Sequence, residues 1–433
     1  MEVSDAQAPK AEAPETQAPQ SLWRLSRFRN LWLAQTVSVL GTQVTVLAFP
    51  LVALLLKASA LDIGLLSAVE FLPVLLFGLP AGAWVERLPR RRVMLVMDAV
   101  RTVAMVSVPI AYAAGVLTLP LLFVVAFIIG LGTLFFDIAQ MSYLPALVAD
   151  SQLAEGNAKL EGSRSFGQLS GPTVGGFLIQ LFSAPIAVLV DALSYAASFV
   201  LLLFVRGRDN AAAPTDEGRG LGKEIAEGVR FVVRHPLLRP LAMCDATANF
   251  AFAAMLALQV FYAARVLHLG SAVIGTVLGV GNAGGLIGAV VCGALSRRLA
   301  PGVLLMGSIV VFTVGAVLLP LSHGAVVFGA GLFLVWVGVV IYNITTLTMR
   351  QLITPERLLS RMNATLRFIE WSTLPLGAAL GGVLVAPLGV RGVLWGVAVI
   401  CGLSILPPLL SPVSRLKSTP TAEAVADVSE GAA

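Results

Sequence analysis

Leu147 to Leu178 holds Asn157-Ala158-Lys159-Leu160 and then Gly171-Pro172-Thr173-Val174-Gly175-Gly176. The chain returns to this pattern 206 positions later, as Asn363-Ala364-Thr365-Leu366 and Gly377-Ala378-Ala379-Leu380-Gly381-Gly382. Eight of 32 aligned residues are identical without a gap. A second echo, at an offset of 211, pairs Gly82-Ala83-Trp84-Val85-Glu86-Arg87-Leu88 with Gly293-Ala294-Leu295-Ser296-Arg297-Arg298-Leu299. The Asn-Ala-x-Leu match falls at a polar junction, expected to be a turn over 150–160 and again over 356–366, where the low complexity of apolar helices cannot produce it. The chain therefore reads as two copies of one design, and in membrane proteins such copies face each other across a substrate path.

The membrane premise comes from composition. Hydrophobic residues make up 57% of the chain and charged residues 12%, with a mean hydropathy of +0.89, well outside the range of soluble domains. Spans of about 20 apolar residues cross a bilayer core. Twelve candidates are legible, at roughly 31–56, 61–85, 93–115, 119–142, 163–183, 185–205, 238–262, 272–295, 302–321, 325–348, 364–386 and 390–411. Lys and Arg are retained in cytoplasmic loops. With the N-terminus inside, 25 of the 29 fall on that side, Lys57, Arg265 and Arg391 fall outside, and Arg101 lies within a span. The expected setting is a cell (inner or plasma) membrane with both termini cytoplasmic. A pI near 9.4 then reports topology and contact with anionic lipid, not nucleic acid.

The first apolar run follows about twenty polar residues with Arg24, Arg27 and Arg29 behind them, so it reads as a retained span rather than a signal peptide. Residues 1–20 and 413–433 have little to bury and are expected to be disordered. The longest break, 206–236, separates a first bundle at 21–205 from a second at 237–412. Within it Ile225, Val229 and Val232 recur at helical spacing among charges, predicting an amphipathic surface helix over 222–233. Cys244, Cys292 and Cys401 suit neither a disulfide framework nor a zinc site.

Twelve spans as six plus six, with a basic loop after span two echoed after span eight, resemble the major facilitator superfamily. That resemblance implies an all-α integral membrane protein of twelve transmembrane helices in two pseudo-symmetric six-helix bundles. Gly82-x-x-x-Glu86-Arg87-x-Pro89-Arg90-Arg91 is similar to the family's loop signature, with Glu86 for Asp and Pro89 for Gly. A carboxylate there can take hydrogen bonds from a helix N-terminus and from arginines, latching the halves on the cytoplasmic side. Gly167-x-x-x-Gly171-Pro172-x-x-Gly175-Gly176 resembles the signature carried by the family's proton-coupled exporters. Its small residues permit close helix approach, and Pro172 removes a backbone hydrogen bond.

Depth ranks the remaining polar residues. Glu70, nine residues into span two, is about 14 Å deep at 1.5 Å per residue. An ionised carboxylate is costly there, so its protonation can be coupled to opening. Glu70 and Asp137 are the proton-coupling candidates. Gln43, Asn249, Asn282 and Trp336 lie at similar depth, with Phe252 close by, and are the substrate-cavity candidates. The resemblance adds that spans one, four, seven and ten line the central cavity. Asp98, Arg101 and Glu370 join Glu86, Arg87, Arg90 and Arg91 in an expected cytoplasmic charge network. Asp191 is expected to be structural.

Phe28-Arg29-Asn30-Leu31-Trp32, Asp191-Ala192-Leu193-Ser194-Tyr195 and the stretch from Gly228 to Arg239 look like the branch of macrolide-efflux and enterobactin-exporter-like permeases. Members often carry an acidic residue near Gly41, where this chain has Thr42. Other drug-proton antiporters carry an arginine in span four, where it has Ala126. No Gly-x-x-x-x-Gly-Lys-Ser/Thr motif and no catalytic or metal cluster is legible, so no enzyme activity and no cofactor is expected. The expectation is a monomeric secondary transporter exporting an amphipathic drug, macrolide or siderophore-like molecule against protons by alternating access. A nutrient importer and a non-transporting membrane sensor are the alternatives.

Overall fold

The chain folds into helices most of which, at twenty residues or more, meet or exceed the length a bilayer core requires. The computed structural model describes residues 22–148, 152–205 and 221–416. The first half contains α1 (Ser26–Leu55), α2 (Ala60–Glu86), α3 (Arg90–Ala113), α4 (Leu119–Tyr143), α5 (Leu153–Phe182) and α6 (Ala184–Leu203). A shorter helix, α7 (Leu221–Arg234), precedes α8 (Leu238–Arg265), α9 (Ser271–Leu295), α10 (Pro301–Leu321), α11 (Ala325–Ile353) and α12 (Glu356–Leu403). Ten helices among the described residues are long and apolar enough to span a membrane. The more polar α5 is an eleventh pass, and α12 makes two, its limbs meeting at Gly389 (φ 69°, ψ 164°).

The turns repeat with the helices. Lys57 and His268, 211 positions apart, both take left-handed backbone, with φ of 61° and 53°. The junction after α5 turns at Ser183 (φ 97°), and 206 positions later the two limbs of α12 turn at Gly389. Local chemistry sets the ends between them. Ser59 and Asp62 form a reciprocal capping box at the start of α2, with Ser59 N–H 2.8 Å from the Asp62 carboxylate. Pro89, at the loop-signature position usually held by glycine, sits just before α3 and its carbonyl accepts from Val93 N–H at 3.1 Å. Proline's fixed φ suits that position. Arg91 donates to the carbonyls of Leu202 and Leu203 at 3.0 and 2.7 Å, capping the end of α6 with positive charge.

The halves meet at two mirrored crossings. On α2, a Cβ added to Gly64 would lie 2.7 Å from Gly382 Cα of α12. On α9, one added to Gly275 would lie 2.2 Å from the Pro172 carbonyl and 2.9 Å from Gly176 Cα of α5. Five turns along the same helix faces, Gly82 and Gly293 would meet nothing within 4 Å. The helices are pressed together at one end and part at the other. The open end carries the arginines of the α2–α3 and α9–α10 turns.

Three sequence expectations change. Residues 153–162 and 356–363 continue α5 and α12 beyond the apolar core as helix, so the Asn-Ala-x-Leu repeats are not turns. The C-terminal tail begins later than 413, because Val413 is fully buried and Gly302 N–H donates to the Leu416 carbonyl at 3.4 Å. Residues 1–20 and 206–220, and the tail from 417, lie outside the described residues. The amphipathic helix α7 does not rest on a surface alone: Val232 is buried, and Gly228 lies against the Arg361 carbonyl and Thr365 of α12.

Candidate functional site

Arg350, in the last turn of α11, is buried between two carboxylates from different helices. Its Nη1 donates to Glu370 Oε1 of α12 at 2.9 Å, and its Nη2 pairs with Asp245 of α8. Asp245 is 4% exposed and Arg350 8%. Two negative charges on one guanidinium leave the group one unit negative. Beside it opens a cavity of about 310 Å³. Asp245 and Glu370 form part of its wall with Asn249, Phe252, Trp336 and Trp371. The rings of Phe252 and Trp336 meet edge to face at 5.6 Å. Phe71 of α2 brings the first half to the same wall.

The first half has a neutral version of this contact. Subtracting 210 from Asp245 and Arg350 gives Gln35 and Gln140, and these two side chains hydrogen-bond to each other between α1 and α4. One crossing in one copy of the fold is thus charged where its twin is amide. Depth along the spans did not single out Asp245 or Arg350. The internal repeat is the signal that finds them, since it sets each opposite a glutamine.

Of the cavity candidates, Asn249, Phe252 and Trp336 line this space. Gln43 instead packs under Gly171, where an added Cβ would approach its side chain to 2.2 Å. Asn282 turns to α5 and donates to the backbone carbonyl of Gln168. Of the coupling candidates, Glu70 is half-buried on α2 where that helix packs against α4, its carbonyl 1.9 Å from a Cβ built on Gly130. It stands within electrostatic reach of Asp191. Asp137 is half-buried within electrostatic reach of Arg164, Arg101 and Arg367.

The expected charge network is not assembled as one cluster. Asp98 and Arg101 pair inside the first half, where Ser198 donates to Asp98 at 2.6 Å and the guanidinium lies 4.4 and 4.3 Å from the Phe136 and Tyr195 rings. Glu370 is held by Arg350 in the second half. Arg87 is exposed, Arg90 half-buried, and the Glu86 side chain lies outside the described residues. Asp191 is fully buried and accepts from Thr45 at 2.6 Å and Ser194 at 3.0 Å.

The glycine motif of α5 divides its contacts. Gly167, Gly171 and Gly175, at spacing four, lie against Val39, Gln43 and Val44 of α1 in the same half, while Pro172 and Gly176 face α9 of the other. One helix therefore packs tightly inside its own bundle and along the seam between bundles.

Comparison with known proteins accords with this architecture. The model of the Major Facilitator Superfamily matches residues 31–372. The multidrug efflux pump Tap of Mycolicibacterium fortuitum is 29% identical over 364 residues, covering 81% of this chain and 87% of Tap. Macrolide efflux protein A of Streptococcus pyogenes is 23% identical over 407 residues, covering 91% and 98%. A crystal structure of a bacterial homologue of the iron transporter ferroportin, in the inward-facing state, superposes with a TM-score of 0.73 at 17% identity, over 90% of this chain and 99% of that one.

Proposed function

We propose that this chain, which belongs to the major facilitator superfamily, is a proton antiporter that exports bulky amphipathic cations from the cytoplasm. The carrying observation is the Asp245–Arg350–Glu370 group on the wall of an aromatic cavity. An unbalanced negative charge in a low-dielectric wall costs several kcal/mol. A proton on one carboxylate relieves it, and so does a cationic substrate against the same wall. The two compete for one relief, and competition between proton and substrate is what antiport requires. Phe252, Trp336 and Trp371 supply ring faces for the substrate's apolar body and its charge. The efflux pumps among the relatives accord with this direction of transport.

In this reading the open, basic end faces the cytoplasm of a cell whose plasma membrane holds the protein as a monomer. The halves rock about the mirrored crossings to expose the cavity alternately. Glu70, whose neighbour Phe71 lies on the cavity wall, and Asp137 are the first-half carboxylates that take part in proton movement. Gly82, Glu86, Arg87, Arg90 and Arg91 close the basic end when the halves come together. The proton gradient is the energy source.

The test is export of a fluorescent amphipathic cation from cells, and its transport in proteoliposomes with an imposed pH gradient. Gradient-driven movement that an uncoupler abolishes is expected, and Asp245→Asn or Glu370→Gln should uncouple it. Export that persists unchanged after the gradient is collapsed would sink the antiport claim.

A further inference from the structure

Pro172 has no N–H, so the carbonyl of Gln168, four residues earlier in α5, loses its helical donor. Both residues lie near the middle of a thirty-residue helix, where a carbonyl left without a donor is costly. The donor that reaches it is the Asn282 side chain, from α9 of the opposite half. Thr173 makes a second link across the same seam, donating to the Gly275 carbonyl at 3.4 Å.

The chain contains its own control for this arrangement. At the mirrored crossing of α2 and α12, Ala378 occupies the place of Pro172, Leu374 that of Gln168, and Phe71 that of Asn282, at the offsets of 206 and 211 that relate the halves. Ala378 keeps its N–H, so the Leu374 carbonyl needs no outside donor, and the position that would supply one is a phenylalanine. Proline and the amide occur together in one copy and are both absent from the other.

We infer that Asn282 is a positioning residue for transport: by satisfying the carbonyl that Pro172 exposes, it staples the two halves and favours the state open at the basic end. This rests on the alternating-access reading above. It concerns one hydrogen bond across the seam, and it assigns the asparagine to the interface between halves. Loss of the staple removes a buried hydrogen bond from one access state, which shifts the balance between states about tenfold.

The measurement is maleimide labelling of single introduced cysteines in the full chain. Gly293→Cys reports the open basic end, and Ala60→Cys, buried at the closed end, reports opening there. The native cysteines are buried and give little background. Asn282→Leu should raise labelling at position 60 relative to 293 by about tenfold. In a Pro172→Ala background, where the helix restores its own bond, Asn282→Leu should have no further effect. Additive effects of the two substitutions, or an unchanged ratio in Asn282→Leu, would overturn the inference. If Asn282→Leu fails to fold, recovery of folded protein on adding Pro172→Ala supports it, and failure to recover overturns it. Labelling needs no substrate, so absence of efflux in the transport assay would count against the antiport reading without deciding this one.

Discussion

Ser183 and Gly389 occupy equivalent turns of the two halves, yet only one is suited to the backbone it adopts. Ser183 has φ 97° and ψ 156°, a region open almost solely to glycine and costing a side-chain-bearing residue about 1–3 kcal/mol. Its hydroxyl is also buried without a partner. Ser183→Gly should therefore stabilise the protein by about 1 kcal/mol, and Gly389→Ser should destabilise it. Thermal unfolding in detergent measures both; a lowered midpoint for Ser183→Gly would contradict the strain argument.

Removing Arg350 strands the buried carboxylate of Asp245 and the partly exposed one of Glu370. Arg350→Gln should cost about 3–5 kcal/mol and sharply reduce the yield of folded protein. Adding Asp245→Gln recreates the amide pair that Gln35 and Gln140 already make. Size-exclusion profiles of the single and double variants report whether folding returns. The double variant is expected to fold and yet lose proton-driven export, and pH-dependent transport in it would remove Asp245 and Arg350 from coupling.

Position along one face of α2 should decide the consequence of adding a methyl group. Gly64→Ala places a Cβ 2.7 Å from the backbone of α12 and should destabilise the closed end. Gly82→Ala meets open space and should leave unfolding temperature unchanged while slowing transport, because that space closes in the other access state. Comparing melting midpoints with turnover separates the two effects.

His235 joins α7 to α8, its Nδ1 accepting from the Leu237 and Leu238 N–H groups at 3.2 and 3.3 Å. Burial holds its pKa below the usual histidine value, so folding favours the neutral ring. Its contribution is present above the unfolded value of about 6.5 and is lost as pH falls through the lower folded value. Exchange protection of the Leu237, Leu238 and Arg239 amides, corrected for the intrinsic slowing of exchange by acid, should fall below about pH 6.5, and His235→Gln should show no such pH step.

Much of the fold was legible because its signals are additive along the chain. Apolar runs marked the spans, and the break at Gly389 fell in the gap expected between the last two. The Asn-Ala-x-Leu repeats misled as turns because a polar sequence beyond the bilayer can continue as helix, and hydropathy ends where helix does not. The site was half legible. Asn249, Phe252 and Trp336 came from depth and residue type, and Glu370 was expected in a cytoplasmic charge network, but depth says nothing of which way a helix turns. Gln43 and Asn282 stand at the right level and face α5. Asp245 and Arg350 were not singled out, because a lone charge becomes informative only when its partner, 105 residues away, is known.

The amide pair in one half and the ion pair in the other bear on ancestry. If the chain arose by duplication, its precursor was a dimer of identical bundles, and any substitution in it appeared twice. Such a dimer could carry two charged pairs or none. Joining the copies into one gene allowed Gln35 and Gln140 to part company in sequence from Asp245 and Arg350 while both contacts kept their place in the architecture. Fusion therefore made possible a difference that a symmetric assembly forbids, with one crossing charged and its twin neutral.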